Sequence, residues 1–272
     1  MPTPADWQLP RGVSREVWDY LHDSTIARKY DESLADTPLL DLDRRFVERH
    51  CPTPGRVIDM GCGTGRISIP LARLGHTVTA VDLSSDMLRV TGEKAEAAGV
   101  RLDRVRANIV ELDGFRDATF NTAICLFATL GMVAGTESRR RVVGHAFRLL
   151  KPAGKFIIHV HARWHHLRTA LGRRWLARDL VRTIRGRDDA GDWRMLHHEG
   201  QTGWTMHLFT RREAIDLLRS AGFVVSRVLP VGLAPDGLLR WPWFFRGLRA
   251  YGFLIVGRKP ELTGETSGLT LS

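Results

Sequence analysis

Three glycines at alternate positions, Gly61, Gly63 and Gly65, follow the apolar run Val57-Ile58-Asp59-Met60. Glycine tolerates positive φ and has no Cβ, so such a loop can lie with its backbone directly against a nucleoside. A second apolar run, Val78-Thr79-Ala80-Val81, ends in Asp82, where a carboxylate can accept hydrogen bonds from both hydroxyls of a ribose. Loop and acid together describe an adenosine site. The dinucleotide fingerprint needs a glycine at the sixth loop position, and Arg66 stands there. The pattern is G-x-G-x-G with Asp59 two residues ahead.

Groups able to move a proton lie further along. His159 and His161 sit near the carboxyl end of an apolar run, and strand alternation puts both on one face with Val160 opposite. Open α/β sheets bind ligands at that end, so both are candidate general bases, with His207 a third. His165 and His166, like His197 and His198, are adjacent pairs without metal-ligand spacing. They read as surface or lid residues, and no metal is expected.

The elements that must carry these groups alternate between strand and helix, the pattern of a mostly parallel sheet covered on both faces. The loop with Asp59 ahead of it resembles the first motif of the class I S-adenosylmethionine-dependent methyltransferases. The resemblance extends over residues 28–160 and more loosely over 205–259: Leu83-Ser84-Ser85-Asp86-Met87 is similar to the family's acid, serine cap and helix start, and Leu150-Lys151-Pro152-Ala153-Gly154-Lys155 to its L-K-P-G-G turn. It implies S-adenosylmethionine as cofactor and a Rossmann-like α/β fold, with seven strands, helices on both faces and an antiparallel C-terminal pair. The implied cofactor contacts are Asp59, Gly61, Cys62, Gly63, Gly65, Asp82, Leu83, Met87, Asn108, Ile109 and Leu126, with Tyr30 closing over the methionine end. Asn108 and Asn121 stand where relatives commonly carry acids. The Asn108 carbonyl can still accept from an adenine amino group, and its amide can donate to a ring nitrogen. Ile109 would pack on the adenine face.

The expected divisions are an N-terminal helical cap over 1–50, a cofactor-binding core over 51–160, a basic and aromatic lid insertion over 161–205, a C-terminal part of the core over 206–259 and a disordered tail over 260–272. Helices are expected over 138–150 and after the capping box of Thr210 and Glu213, and strands over 156–161, 223–229 and 250–257. In the insertion, Trp164, Leu167, Leu171 and Trp175 share one helical face and Leu176, Leu180 and Ile184 another, with Gly172 a natural break.

Hydrophobic residues at 43% and charged residues at 26% are globular values. No apolar run reaches the length of a membrane span, residues 1–10 lack the order of a signal peptide, and Cys51, Cys62 and Cys125 form no paired spacing. These features point to a cytoplasmic protein, at most peripheral to a membrane. The net charge of +10 is concentrated: residues 137–187 hold fourteen arginines or lysines against Glu137 and Asp179 alone. Such a stretch attracts phosphate, on RNA or on an anionic membrane surface. With a second aromatic cluster, Trp241-Pro242-Trp243-Phe244-Phe245, it also suits a lid over a bulky apolar substrate. The expectation is methyl transfer to a small or lipid-like molecule; the alternatives are a transfer-RNA methyltransferase and an inactive cofactor-binding regulatory protein.

Overall fold

The computed structural model describes residues 4–33, 37–195 and 203–261. A 3-10 helix, Asp6–Gln8, and three α-helices, α1 (Arg15–His22), α2 (Ser24–Ser33) and α3 (Pro38–His50), precede the first strand. The chain then alternates through β1 (Arg56–Met60), α4 (Ser68–Arg73), β2 (Thr77–Asp82), α5 (Ser85–Ala97), β3 (Asp103–Arg106), β4 (Phe120–Cys125), α6 (Thr129–Met132), α7 (Thr136–Leu149) and β5 (Leu150–His161). A short 3-10 helix, Arg163–Arg168, leads to α8 (Ala170–Ile184), β6 (Asp192–Arg194), β7 (Thr205–His207), α9 (Arg211–Ser220), β8 (Val224–Val231), α10 (Arg246–Arg249) and β9 (Gly252–Arg258).

Seven strands form one sheet in the order β3-β2-β1-β4-β5-β9-β8. Parallel pairing joins β3 through β5, whereas β9 lies antiparallel between β5 and β8. The chain winds outward from β1 through β2 to β3, then returns to the other side of β1 with β4. That reversal opens a crevice at the carboxyl ends of β1 and β4, where open sheets bind ligands.

Alternation along the buried strands sorts side chains to two cores. Ile58, Met60, Phe156, Ile158 and Val160 pack against α7 and α9 through Val142, Ala146, Leu149, Ala214 and Leu218. Val57, Ile124, Ile157 and Leu254 face the opposite side, against Leu39, Leu42, Phe46 and Val47 of α3. His159 falls on that second face and His161 follows it, as the two-residue period requires.

Helix starts follow their caps. Ser84 accepts from the Met87 amide at 3.4 Å, and Thr210 and Glu213 form the expected capping box. The insertion departs from expectation in two ways. Its break is at Thr169, which caps α8, and Gly172 lies inside that helix because a Cβ there would stand 2.0 Å from the His166 carbonyl oxygen. A small antiparallel sheet also forms, pairing β6 of the expected lid with β7 across the boundary expected at residue 205. Arg163 and Asp179, both buried, hold α8 to the core as an ion pair, and the other Asp179 oxygen accepts from the Gly191 amide at 2.7 Å. The tail expected to be disordered lies almost wholly outside the described residues, as do His197 and His198.

His207 is structural, which corrects its reading as a candidate base. Its Nδ1 lies 2.8 Å from Asp192 and its Nε2 2.6 Å from Glu213, so the ring ties the small sheet to α9. Burial disfavours the charged ring, but the hydrogen bonds with Asp192 and Glu213 outweigh it and raise the His207 pKa. A raised folded pKa gives stabilisation that is complete below about 6.5 and is lost as pH rises through the raised value. The unfolding free energy of the wild type relative to His207→Gln, measured in urea, should therefore fall as pH rises above about 6.5. A difference that stays constant with pH would contradict the charged-ring assignment.

Candidate cofactor and active site

The glycine loop leaves β1 with Gly61, Gly63 and Gly65 all at positive φ. At Gly61 a Cβ would meet Thr129 Cγ2 at 2.4 Å, so the turn after β4 can approach only a bare backbone. At Gly63 the nearest atom is Tyr30 Cε1 at 3.7 Å, and the backbone faces an open cleft. The amides of Gly61 and Cys62 both donate to the Val81 carbonyl, at 2.8 and 3.0 Å, pinning the loop to the end of β2. Asp82 closes the arrangement: its two oxygens accept from the Gly63 and Ser84 amides, each at 2.9 Å. Burial raises the Asp82 pKa, against the pull of the Ser84, Gly63 and Leu83 amides. Each oxygen keeps a lone pair for a ligand hydroxyl.

A cleft opens beside the loop and Asp82. Leu83, Met87, Ile109 and Val110 give it an apolar side, and Gly12, Val13, Val17, Tyr20 and Tyr30 of the N-terminal segment cover it. Asn108 lines the cleft, but its side chain is engaged with the protein. Oδ1 accepts from the Val110 amide at 3.1 Å, and Nδ2 donates to the Arg11 carbonyl at 2.9 Å, tying the N-terminal segment down. Burial raises the pKa of both Tyr20 and Tyr30.

Four residues expected at the cofactor do not line this cleft. Asp59 accepts from Ser68 Oγ at 2.6 Å and holds the start of α4; burial, opposed by that bond, pushes its pKa up to about 6. Cys62 packs with Ala80 and Leu88, Gly65 admits Thr91, and Leu126 is buried in the α3-side core. Phe127, the next residue, lines the cleft in place of Leu126. Phe127 and Ala128 both adopt left-handed conformations, φ 48° and 65°, and the Ala128 amide donates to the His159 carbonyl at 3.2 Å.

A chain of aromatic rings runs from that turn. Phe127 stands 6.4 Å edge-on from His161, centroid to centroid, and His161 stands 4.8 Å from Tyr251, which in turn meets His165 at 5.0 Å. His159 lies below, fully buried, with Nδ1 at 2.7 and 3.0 Å from the carboxylate oxygens of Asp43 on α3. Burial and the neighbouring His159, His165 and His166 push the His161 pKa down to about 3. Its Nε2 is buried without a hydrogen-bond partner among the described residues, as is Nε2 of His159. The Arg66 guanidinium lies over the Phe127 ring at 4.8 Å and over Tyr30 at 5.6 Å, so the residue that excludes a dinucleotide fingerprint joins the two walls. Asp43 and Tyr251 escaped the sequence reading. Asp43 was the findable one, an acid on the apolar face formed by Leu39, Leu42 and Phe46.

Asp82→Ala removes an acceptor that both the loop and a ribose would use. The expected result is S-adenosylhomocysteine binding weakened about ten- to a hundredfold by calorimetry; unchanged affinity would refute the role of Asp82.

The family model described as a methyltransferase domain matches residues 57–154. Among curated proteins, the putative methyltransferase YqeM of Bacillus subtilis is 32% identical over 137 residues, 50% of this chain and 54% of that protein. A ubiquinone biosynthesis O-methyltransferase of Xanthomonas euvesicatoria is 31% identical over 103 residues, 38% and 41% of the two chains. The chain thus spans about half the length of the curated relatives it matches. A solved S-adenosylmethionine-dependent methyltransferase of Methanosarcina mazei superposes with a TM-score of 0.64 at 24% identity, covering 79% of this chain and 97% of that one. The Burkholderia thailandensis 1,6-didemethyltoxoflavin-N1-methyltransferase, with S-adenosylhomocysteine bound, superposes with 0.60 at 22% identity over 95% and 94%. The open backbone at Gly63, the spare lone pairs of Asp82 and the apolar side of the cleft fit the nucleoside of that cofactor. Residues 57–154 match the methyltransferase-domain model, and the chain has the fold of the solved class I S-adenosylmethionine-dependent methyltransferases.

Proposed function

We propose that the protein transfers a methyl group from S-adenosylmethionine to a small or lipid-like acceptor, with His161 taking the proton that the acceptor loses. The observation that carries this reading is the continuous wall from the cleft at Phe127 through His161 to Tyr251 and His165. It is aromatic and half-buried, suited to an apolar molecule.

When bound, the cofactor supplies an electrophilic methyl on a sulfonium with a thioether leaving group. The chain's own part is alignment and water exclusion. Tyr20 and Tyr30 roof the cleft, and Gly61 lets the Thr129 turn close against the loop. His161, held neutral, has a vacant lone pair or an N–H at Nε2 according to its tautomer, and only the first accepts a proton. The hydroxyl becomes more acidic as its oxygen bonds to the methyl carbon and the S–C bond breaks, so the neutral imidazole takes its proton in that same step. Asp43 and His159 stand behind as a buried pair that fixes the strand's histidine face.

The test is incubation with methyl-labelled S-adenosylmethionine and a cell extract, then separation into RNA, protein, organic-soluble and aqueous fractions. Label should enter the organic or aqueous fraction. Label in RNA would transfer the function to the exposed arginines of the basic stretch, and binding without any transfer would favour a regulatory protein. His161→Ala should cut the labelled product by about 10²–10⁴-fold while S-adenosylhomocysteine affinity stays within a factor of two or so. An undiminished yield would remove His161 from the reaction.

A further inference from the structure

Among the described residues, two exposed apolar surfaces are used by neither the cofactor cleft nor the core. The first is the outer face of α8. At about 100° per residue, Ala177, Leu180, Val181 and Ile184 fall on one solvent-facing stripe, and Ile184 is 77% exposed. Arg173 falls within that stripe, between Leu180 and Ile184 in projection, and Arg174, Arg178 and Arg185 border it on one side. The sole acid of the helix, Asp179, faces inward to Arg163.

The second is the loop at residues 241–245, where Trp243 is 79% exposed, Trp241 64% and Phe245 63%. Water-facing rings in such density are unusual for a free surface. The loop is nonetheless built rather than loose. Arg249 reaches beneath it and donates to the carbonyls of Arg240, Trp241 and Phe244 at 3.1 to 3.3 Å. Its guanidinium also lies 5.9 Å from the Trp241 ring and 5.7 Å from Phe244. Trp241 and Phe245 adopt left-handed conformations, φ 51° and 42°, which turn the ring cluster outward at a cost in backbone strain.

The base of the loop touches the segment that leads into α8. Arg168, at the end of the 3-10 helix that leads into α8, donates to the Arg249 carbonyl at 3.1 Å. A depression beside that contact is lined by His165, Arg168, Leu233, Leu238 and Tyr251, so it reaches the far end of the ring chain that begins at Phe127.

We propose that the outer face of α8 and the 241–245 loop together dock on an anionic lipid bilayer. Tryptophan and phenylalanine enter the boundary between headgroups and acyl chains, while the flanking arginines meet lipid phosphates. Charge complementarity selects the occupant. No acid stands in residues 237–258, and none among the described residues of α8 faces outward, so the surface offers cations and apolar rings together. RNA would use the arginines but has no need of the aliphatic stripe. The depression then opens toward the bilayer, giving an apolar molecule dissolved there a route to His161. Docking itself does not depend on the identity of the acceptor.

The test is sedimentation of the full chain with vesicles of phosphatidylcholine alone and of phosphatidylcholine with phosphatidylglycerol, at low and high salt. The protein should pellet with the anionic vesicles at low salt, and binding should weaken in salt and be weaker still on phosphatidylcholine alone. The double variant Trp243→Ala/Phe245→Ala and the single variant Ile184→Ser should each lower vesicle affinity at least tenfold. S-adenosylhomocysteine binding and circular dichroism of both should match the wild type, which separates lost docking from lost folding. Absence of pelleting at low salt overturns the proposal. Binding that persists in both variants, or tighter binding to polyuridylate than to vesicles at equal salt, makes the surface electrostatic only and also overturns it. A dimer that Trp243→Ala/Phe245→Ala converts to monomer, without vesicle binding, assigns the patch to a second copy instead.

Discussion

Asp82 accepts one backbone amide from each of two directions, and the cleft is arranged around that pair of bonds. Gly63 reaches it from the loop and Ser84 from the start of α5. Parallel pairing of β1 with β2 brings the loop and the acid side by side, since Met60 lies opposite Val81. The Val81 carbonyl then takes the Gly61 and Cys62 amides. Without the carboxylate, two amides would lose a charge-assisted partner, each worth about 1.5–3 kcal/mol. Positive φ at Gly61 and Gly63 follows from the same geometry, because the backbone must turn sharply enough to point its amides at β2.

The second organising element is β5, whose two faces serve different ends. Phe156, Ile158 and Val160 complete the core against α7 and α9. His159 and His161 occupy the other face, one anchored to Asp43 and one next to the cleft. The turn after β4 joins this strand to the cofactor side. Two successive non-glycine residues in left-handed conformation carry a strain of about 1–3 kcal/mol each, held by the Ala128 amide on the His159 carbonyl and by packing of Ala128 with Met206 and Leu208. Strain of that kind persists where the surroundings over-determine it. Here it places Phe127 between the loop arginine and the histidine face.

Much of this was legible in the chain because it rests on local rules. The G-x-G-x-G loop, the acid at the end of β2, the caps at Ser84 and Thr210 and the shared face of His159 and His161 all follow from backbone sterics and strand periodicity. What escaped depends on tertiary proximity. Leu126 and Phe127 could not be told apart by position, since the turn's left-handed conformation reverses which side chain meets the cleft. Asp59 and Cys62 carry the family's motif yet face inward, because the loop presents its backbone rather than those side chains. Asn108 looked like a hydrogen-bonding partner for adenine, but it also ties down the segment at Arg11, ninety-seven residues away. His207 was indistinguishable from a base until Asp192 and Glu213 appeared on both its nitrogens.

The central claim is that the N-terminal segment closes one cofactor cleft formed by the loop, Asp82 and Asn108. Amide hydrogen exchange with and without S-adenosylhomocysteine tests it most directly. The account predicts added protection in residues 11–30, 61–65 and 82–88, with β8 and β9 unchanged. Protection confined to another part of the chain, or none at saturating ligand, would contradict it.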